Sequence, residues 1–300
     1  MSKVAVLGSF VVDLTSFVQR LPEPGETLLG SQFLMGPGGK GGNQAVAAKR
    51  LGTDVQMIGR VGDDFFGKMA VKNFENEGIG IKHLVIDDSY PTGTAQILVG
   101  DDSENSIVVV SGANKALDEQ QVEQAQSVIN EADLFLTQFE LDLPAVKYGI
   151  KLAANKHKTV VVNPAPAQSL EEGMYKYISI LTPNETELRT LTNMPVGHLD
   201  EVEQAAKWLC KKGVQYVVVT LGKKGALLVS EEKTEHFQAN LVDAIDTTGA
   251  GDAFNGGLVT ALAEGKSIEA AIEFANVVAS LSVQKYGTAP SMPYRSDLNI

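Results

Sequence analysis

Short β-branched apolar runs alternate along this chain with longer stretches whose apolar residues recur at helical spacing. Val4–Gly8, Val55–Gly59, Leu134–Gln138, Thr159–Asn163, Ile178–Thr182 and Val217–Leu221 read as strands. The spacing between them predicts helices over Asn43–Leu51, Phe66–Glu77, Asp118–Asn130, Pro144–Lys156 and Val202–Lys212. Gly52, Gly78 and Gly213 follow three of these helices, where a residue that enters the left-handed conformation without strain ends a helix. This alternation implies an α/β fold: a mostly parallel central sheet with helices on both faces.

Two regions break the rhythm. Residues 13–34 carry a Pro-Glu-Pro-Gly turn signal between short extended runs. Residues 92–110 hold two strand-like runs, Thr94–Val99 and Ser106–Val110, joined by the polar Gly100–Asn105. The second region reads as a hairpin, and both lack the helix that a parallel crossover demands. They are expected to form a small β-sheet lid on one catalytic domain spanning 1–300. Exposed edges on such a sheet are readily covered by a twin, which implies a homodimer.

Two glycine-rich helix entrances carry the candidate chemistry. In Asp246-Thr247-Thr248-Gly249-Ala250-Gly251-Asp252 the small residues leave main-chain amides bare at the start of a helical pattern that runs through Ala263. Bare N–H groups at a helix N-terminus attract an anion, and a carboxylate beside them can accept a proton from a hydroxyl. The segment alone is equally compatible with Asp252 complementing the helix dipole and the glycines serving a tight turn. Phe254 stands where a dinucleotide fingerprint needs its third glycine. The second cluster, Gly36-Pro37-Gly38-Gly39-Lys40-Gly41-Gly42-Asn43, fails the P-loop pattern because Gly41 follows the lysine. Its glycine density indicates close approach to a ligand or to other backbone. Asn43 could bond vicinal hydroxyls, but taken alone it reads first as a cap of the helix that follows.

Composition narrows the partners. A net charge of −12 argues against a sequence-independent grip on nucleic acid or on an anionic membrane, but not against a nucleotide held by a few amides. The single cysteine, Cys210, excludes an intrachain disulfide and reads as a small buried hydrophobe. No apolar leader or spanning segment is evident, so a cytoplasmic protein is expected. His83, His157, His198 and His236 form no zinc motif and no Gly-x-Ser-x-Gly elbow occurs, which disfavours a hydrolase.

Gly38-Gly39-Lys40-Gly41-Gly42-Asn43-Gln44-Ala45, Asn163-Pro164-Ala165-Pro166, Pro183-Asn184-Glu185-Thr186-Glu187, Thr220-Leu221-Gly222 and Asp246–Asp252 occur in this order. Together they resemble the ribokinase branch of the PfkB carbohydrate kinase family, with the likeness running from Gly8-Ser9 through Pro290-Ser291. The resemblance implies an ATP-dependent kinase that phosphorylates the C5 hydroxyl of a pentose, D-ribose first. It implies Asp252 as general base and the amides of Gly249, Ala250 and Gly251 as the anion hole. Val11, Asp13, Gly39, Lys40, Gly41, Gly42, Asn43 and Glu140 would line the sugar. Asn184, Thr220, Gly222, Gly225, Gly251 and Asn276 would meet the nucleotide. Glu187, with Asn184, would place Mg²⁺ through water, although a helix-capping role accounts for the same pair. Asp246, Thr248, Ser282, Lys285, Gly287 and Ser291 align with positions that bind K⁺.

One departure bears on substrate. The family pattern near the N-terminus is Gly-Ser-x-Asn-x-Asp, whereas Gly8-Ser9-Phe10-Val11-Val12-Asp13 has valine for the asparagine. Valine cannot hydrogen-bond a sugar hydroxyl, which raises 2-deoxy-D-ribose as the alternative substrate, unless Val11 faces the core. Other sugars or nucleosides share the Gly-Ala-Gly-Asp element, so a fructokinase-like or nucleoside kinase stays open. A catalytically silent sugar-binding protein is the competing class, against which the intact Asp252 and glycines count.

Overall fold

The structure, a computed structural model, describes residues 2–101 and 105–298. Strands run over Lys3–Leu7 (β1), Val11–Val18 (β2), Gln32–Gly38 (β3), Asp54–Gly62 (β4), Gly80–Asp87 (β5), Gly93–Gly100 (β6) and Asn105–Val110 (β7). They continue with Leu134–Gln138 (β8), Thr159–Asn163 (β9), Ile180–Leu181 (β10), Tyr216–Thr220 (β11), Ala226–Val229 (β12) and Thr234–Phe237 (β13). Helices occupy Lys40–Arg50 (α1), Phe65–Glu77 (α2), Glu119–Gln124 (α3), Gln126–Glu131 (α4), Leu143–Asn155 (α5), Glu185–Thr192 (α6), Leu199–Lys211 (α7), Ala250–Ala263 (α8) and Ile268–Ser282 (α9).

Among the described residues the large sheet has nine strands in the order β13-β12-β11-β10-β9-β8-β1-β4-β5. Pairing is parallel from β11 to β5, and β12 and β13 close the other edge antiparallel. Successive side chains of a strand face opposite ways, and β1 shows it: Val4 and Val6 join one core, Ala5 and Leu7 the other. The first core is filled from α1, α2, α8 and α9, the second from α3 to α7. Both faces are covered, as the near-continuous apolar runs require. Gly78 ends α2 at φ 70°, and Gly52 and Gly213 also take positive φ. Cys210 is buried, and burial pushes its thiol up to about 11.

Three differences from the sequence expectation have local causes. The helix expected over Asp118–Asn130 breaks at Ala125 into α3 and α4. The strand expected over Ile178–Thr182 has only two ladder residues, although Ser179 and Thr182 still donate backbone bonds to Val160 and Val162 of β9. The helix of the second glycine cluster begins at Lys40, not Asn43, with Gly39 as its N-cap at φ 86°.

The small sheet has the order β3-β2-β6-β7. Strands β6 and β7 form the expected antiparallel hairpin, whose joining residues 102–104 lie outside the described residues. Strands β2 and β6 pair in parallel, the crossover being made by main-sheet elements. The sheet therefore uses residues 11–18 and 32–38 with 93–100 and 105–110, slightly displaced from the expected 13–34 and 92–110.

Candidate active site

Helix α8 is apolar nearly all round and buried on every side, so it sits inside the first core rather than on its surface. Its approach to α1 depends on Gly256, where a Cβ would collide with the Ala47 Cβ and lie 3.0 Å from the Ala48 nitrogen. This contact brings the first turns of the two helices together, and with them the two glycine-rich entrances.

Asp252, in the first turn of α8, is buried and accepts from Asn43 Nδ2 and Gln44 Nε2 at 2.9 Å each. Because α1 starts at Lys40, Asn43 is not a cap. It lies in the first turn with its side chain free to cross to α8. Its Oδ1 is buried with no protein partner among the described residues. A buried acceptor left unpaired costs about 1–3 kcal/mol, so it marks a place for a donor from outside the chain. The hydroxyl of a polyol is such a donor.

Gly249 caps α8 in the left-handed conformation at φ 80°, which an L side chain adopts only with strain. Gly251 has no such need: its φ is ordinary, and a Cβ there would meet nothing within 4 Å. The open space beside its main chain suits close approach of an anion. Ala250 N–H turns to the Thr247 carbonyl at 3.2 Å, whereas the N–H groups of Gly249 and Gly251 have no protein acceptor among the described residues. The anion hole expected from all three amides thus has two of them free.

The glycines of the second cluster divide similarly. Gly41 packs its main chain on Gly8 and Ser9, leaving no room for a Cβ, and Gly38 makes space for the Asp13 carboxylate. Gly42 would place a Cβ at ordinary contact, 3.4 Å from Phe10, so no steric demand there requires glycine. Glu140 lies at the N-terminus of α1, accepting from Ser9 Oγ at 2.5 Å and Lys40 N–H at 2.9 Å. Asp13, on β2, accepts from Thr288 Oγ1 at 2.9 Å. Burial, with Glu140 and Asp252 adding repulsion, pushes its carboxyl up to about 6 against the Thr288 hydrogen bond. Val11 stands two residues before Asp13 on the same strand, hence on the same face, and is buried.

Glu187 accepts from Asn184 through both carboxylate oxygens, and Asn184 Oδ1 accepts the Glu187 N–H, a complete capping box at the start of α6. Glu187 is also buried, and its carboxyl is raised by burial, with the Asn184 bond and Lys40 opposing and Asp252 reinforcing. Burial acts to lower the Lys40 ammonium, but Asp252, Glu140 and Glu187 outweigh it and the net shift is upward. Three carboxylates, Glu140, Glu187 and Asp252, thus act on one ammonium, and Asp13 feels two of them. A polyphosphate enters such a field only with further cations. Oxygen donors in excess of the local positive charge fit Mg²⁺ held through water.

Among the residues expected to meet a nucleotide, Thr220 forms a parallel bridge with Asn184, its N–H bonding Pro183 O at 2.9 Å, so both stand at the carboxyl ends of neighbouring strands. Gly222 has φ 56°, and Gly225 at φ 93° leaves no room for a Cβ against the Phe237 carbonyl, so each glycine also has a local reason. Asn276, on α9, is buried and donates to Gln238 O at 3.3 Å. In the expected cation loop, Asp246 joins Thr248 and Gly287 by accepting both their N–H groups at 2.9 and 3.0 Å. The Ser282 and Ser291 hydroxyls donate to main-chain carbonyls, leaving oxygen lone pairs, while the Lys285 ammonium lies 3.8 Å from Asp297. The Asp246 carboxylate and the two serine hydroxyls are hard oxygen donors, the class that a monovalent alkali cation takes.

Sequence reasoning missed several polar residues around the site. Thr288 binds Asp13, Ser9 binds Glu140, and Gln44, Gln138, Asn163, Thr182 and Asn255 form a buried chain behind Asp252. Gln138 and Asn163 end otherwise apolar strands, which is a readable signal. Thr288 has none.

A buried carboxylate beside free amides at a helix entrance, with the unpaired Asn43 Oδ1 next to it, defines a phosphotransferase-type site on this α/β fold. Residues 1–295 match the pfkB family carbohydrate kinases, and the chain belongs to that family. It is 42% identical to the ribokinase of Haemophilus influenzae over 98% of this chain and 96% of that protein. It is 38% identical to the deoxyribokinase of Salmonella typhi over 99% and 97%. A solved structure of Arabidopsis thaliana ribokinase complexed with ribose and ATP superposes with a TM-score of 0.93 at 33% identity, covering 99% of this chain and 97% of that one.

Proposed function

We propose that this protein is a cytoplasmic kinase that transfers the γ-phosphoryl group of ATP to the C5 hydroxyl of D-ribose. The observation that carries the reading is Asp252: buried, fixed by Asn43 and Gln44, and beside both the free Gly249 and Gly251 amides and the unpaired Asn43 Oδ1. A hydroxyl that donates to Asn43 lies within reach of the Asp252 carboxylate. Asp252 takes its proton as the sugar oxygen bonds phosphorus and the bond to the leaving ADP oxygen breaks. The Gly249 and Gly251 amides, with Ala250 beside them, stabilise charge on the phosphoryl oxygens.

Asp13, Glu140 and the Gly39–Gly42 main chain hold the remaining hydroxyls, with Lys40 offsetting the surrounding carboxylates. Asn184, Thr220, Gly222, Gly225 and Asn276 take the nucleotide. Glu187 would hold Mg²⁺ through water, which would supply charge neutralisation for the phosphates. Asp246, Thr248, Ser282, Lys285, Gly287 and Ser291 would hold K⁺ beside the anion hole, where it would supply positive charge. The small sheet acts as a lid on a single domain and as the contact of a homodimer.

Asp252→Asn is expected to cut turnover by about three or more orders of magnitude while sugar binding, measured by calorimetry, persists. Wild-type turnover in that variant excludes the assignment. A coupled ADP-release assay over ribose, 2-deoxyribose, fructose and adenosine, with and without K⁺, tests substrate and cation together.

A second reading, 2-deoxyribose as the preferred substrate, rests on Val11. It lies on the Asp13 face of β2 rather than on the opposite, core-packed face of Val12. A site short of one hydrogen bond loses discrimination of about 1–3 kcal/mol. Val11→Asn is expected to move the kcat/KM ratio toward ribose by about tenfold or more; an unchanged ratio removes Val11 from specificity.

A further inference from the structure

Behind Asp252 lies a chain of side-chain amides, of which the phosphoryl-transfer reading uses only the Gln44 contact. Gln44 is fully buried at 0% exposure, and Gln138 at 1%. Gln44 Nε2 spends one N–H on Asp252 Oδ1 at 2.9 Å and the other on Asn163 Oδ1 at 3.0 Å. Gln44 Oε1 accepts from Gln138 Nε2 at 2.6 Å, and Asn163 Nδ2 donates to the Thr182 carbonyl at 3.1 Å.

The polarity of this chain is fixed from its far end. A main-chain carbonyl can only accept, so Asn163 must turn its NH₂ to Thr182 and its oxygen to Gln44. Gln44 must then present its NH₂ to Asn163, and the same nitrogen faces Asp252. Rotating either amide by half a turn would set oxygen against oxygen in the buried interior. The central sheet, through β9 and the end of β10, therefore dictates that Asp252 meets a donor on its Oδ1. Asn43 supplies the donor on Oδ2.

We infer that Gln44 is a positioning residue for phosphoryl transfer. Its amide, oriented by Asn163 and Gln138, holds the Asp252 carboxylate in the rotamer that points a free lone pair at the acceptor hydroxyl. The inference rests on Asp252 being the base. Gln44 touches neither substrate. Its loss leaves Asp252 tethered by Asn43 alone, a ligand that the incoming sugar also engages. The consequence belongs to kcat and not to binding, because the misplacement matters at proton transfer.

The test is a double-mutant cycle of Gln44→Met, close in volume and without N–H groups, with Asp252→Asn. Gln44→Met alone is expected to lower kcat by about 30- to 100-fold with sugar and ATP KM values within about threefold of wild type. In the Asp252→Asn background it is expected to cost less than about threefold, because the group it positions is gone. Equal losses in both backgrounds, or a raised KM with unchanged kcat, overturn the inference while leaving the kinase reading intact. Full activity of Asp252→Asn alone sinks the kinase reading, and this inference with it. Should Gln44→Met fail to fold by circular dichroism, Asn163→Leu replaces it in the cycle. It frees the Gln44 amide without removing it, so a smaller kcat loss confined to the Asp252 background is expected, and the same loss in both backgrounds overturns the inference.

Discussion

At the scale of single residues, burial and hydrogen bonding set what each carboxylate near the cleft can do. Asp13 has the clearest pH signature. Its carboxyl is raised from 3.8 to about 6, mainly by burial, so the folded protein holds the proton more tightly than the unfolded chain. Stability therefore falls as pH rises from about 4 to about 6, and the cost is fully present above that window. Asp13→Asn keeps an acceptor for Thr288 and removes the charge; it is expected to gain about 1–3 kcal/mol at pH 7 and nothing at pH 4, read from denaturant melts. A gain that is the same at both pH values would show that ionisation is not its source. In the proposed function the same carboxylate, ionised, accepts sugar hydroxyls. The kcat/KM for sugar should thus fall on the acid side of about pH 6, and Asp13→Asn should lose that inflection along with much of its affinity.

At the scale of elements, the site exists because two helices meet at their N-termini. Gly256 permits it, and Gly256→Ala drives a methyl into Ala47 and the Ala48 amide. Overpacking of this kind costs about 1–3 kcal/mol. Here it also parts Asp252 from Asn43 and Gln44, so kcat should drop more than stability alone explains. Wild-type turnover in the Gly256→Ala variant would show that the separation of α1 and α8 is not critical. This contact was not legible in the sequence. The apolar runs of β1, β8, β9 and β11 were, since strands buried on both faces admit few polar residues. Helix α9 escapes a periodicity reading because its apolar residues leave no single stripe for the period to reveal, and α6 because it is a short element between loops. Asp252 and Asn43 were legible as glycine-flanked polar residues at helix entrances. Gln44 stood beside them in the same motif, but its meaning comes from Asn163 and Gln138, on strands distant in sequence.

At the scale of the whole molecule, the small sheet is the element with unfinished packing. Register places Asp13 opposite Gly36 and Ala95, and Ala95 opposite Val109, so these share one face. The other face packs into the core only at Val12 and Leu14, and beyond them carries Phe33, Met35, Val108 and Val110, all more than 40% exposed. An apolar face on an open four-stranded sheet, with β3 and β7 as unpaired edges, is a costly surface for a lone chain and a self-complementary one for a pair. With the Asp13 face assigned to substrate in the proposed function, the Phe33 face is what remains for a second copy. Sedimentation velocity at micromolar concentration is expected to show a dimer. Val108→Glu, which adds a charge at the middle of that face, should shift it toward monomer without unfolding either protomer. Ile107→Glu, one residue away but on the Asp13 face, should disturb sugar KM more than assembly. A monomeric parent protein would exclude the pairing, and dissociation by Ile107→Glu alone would place the partner on the wrong side of the sheet.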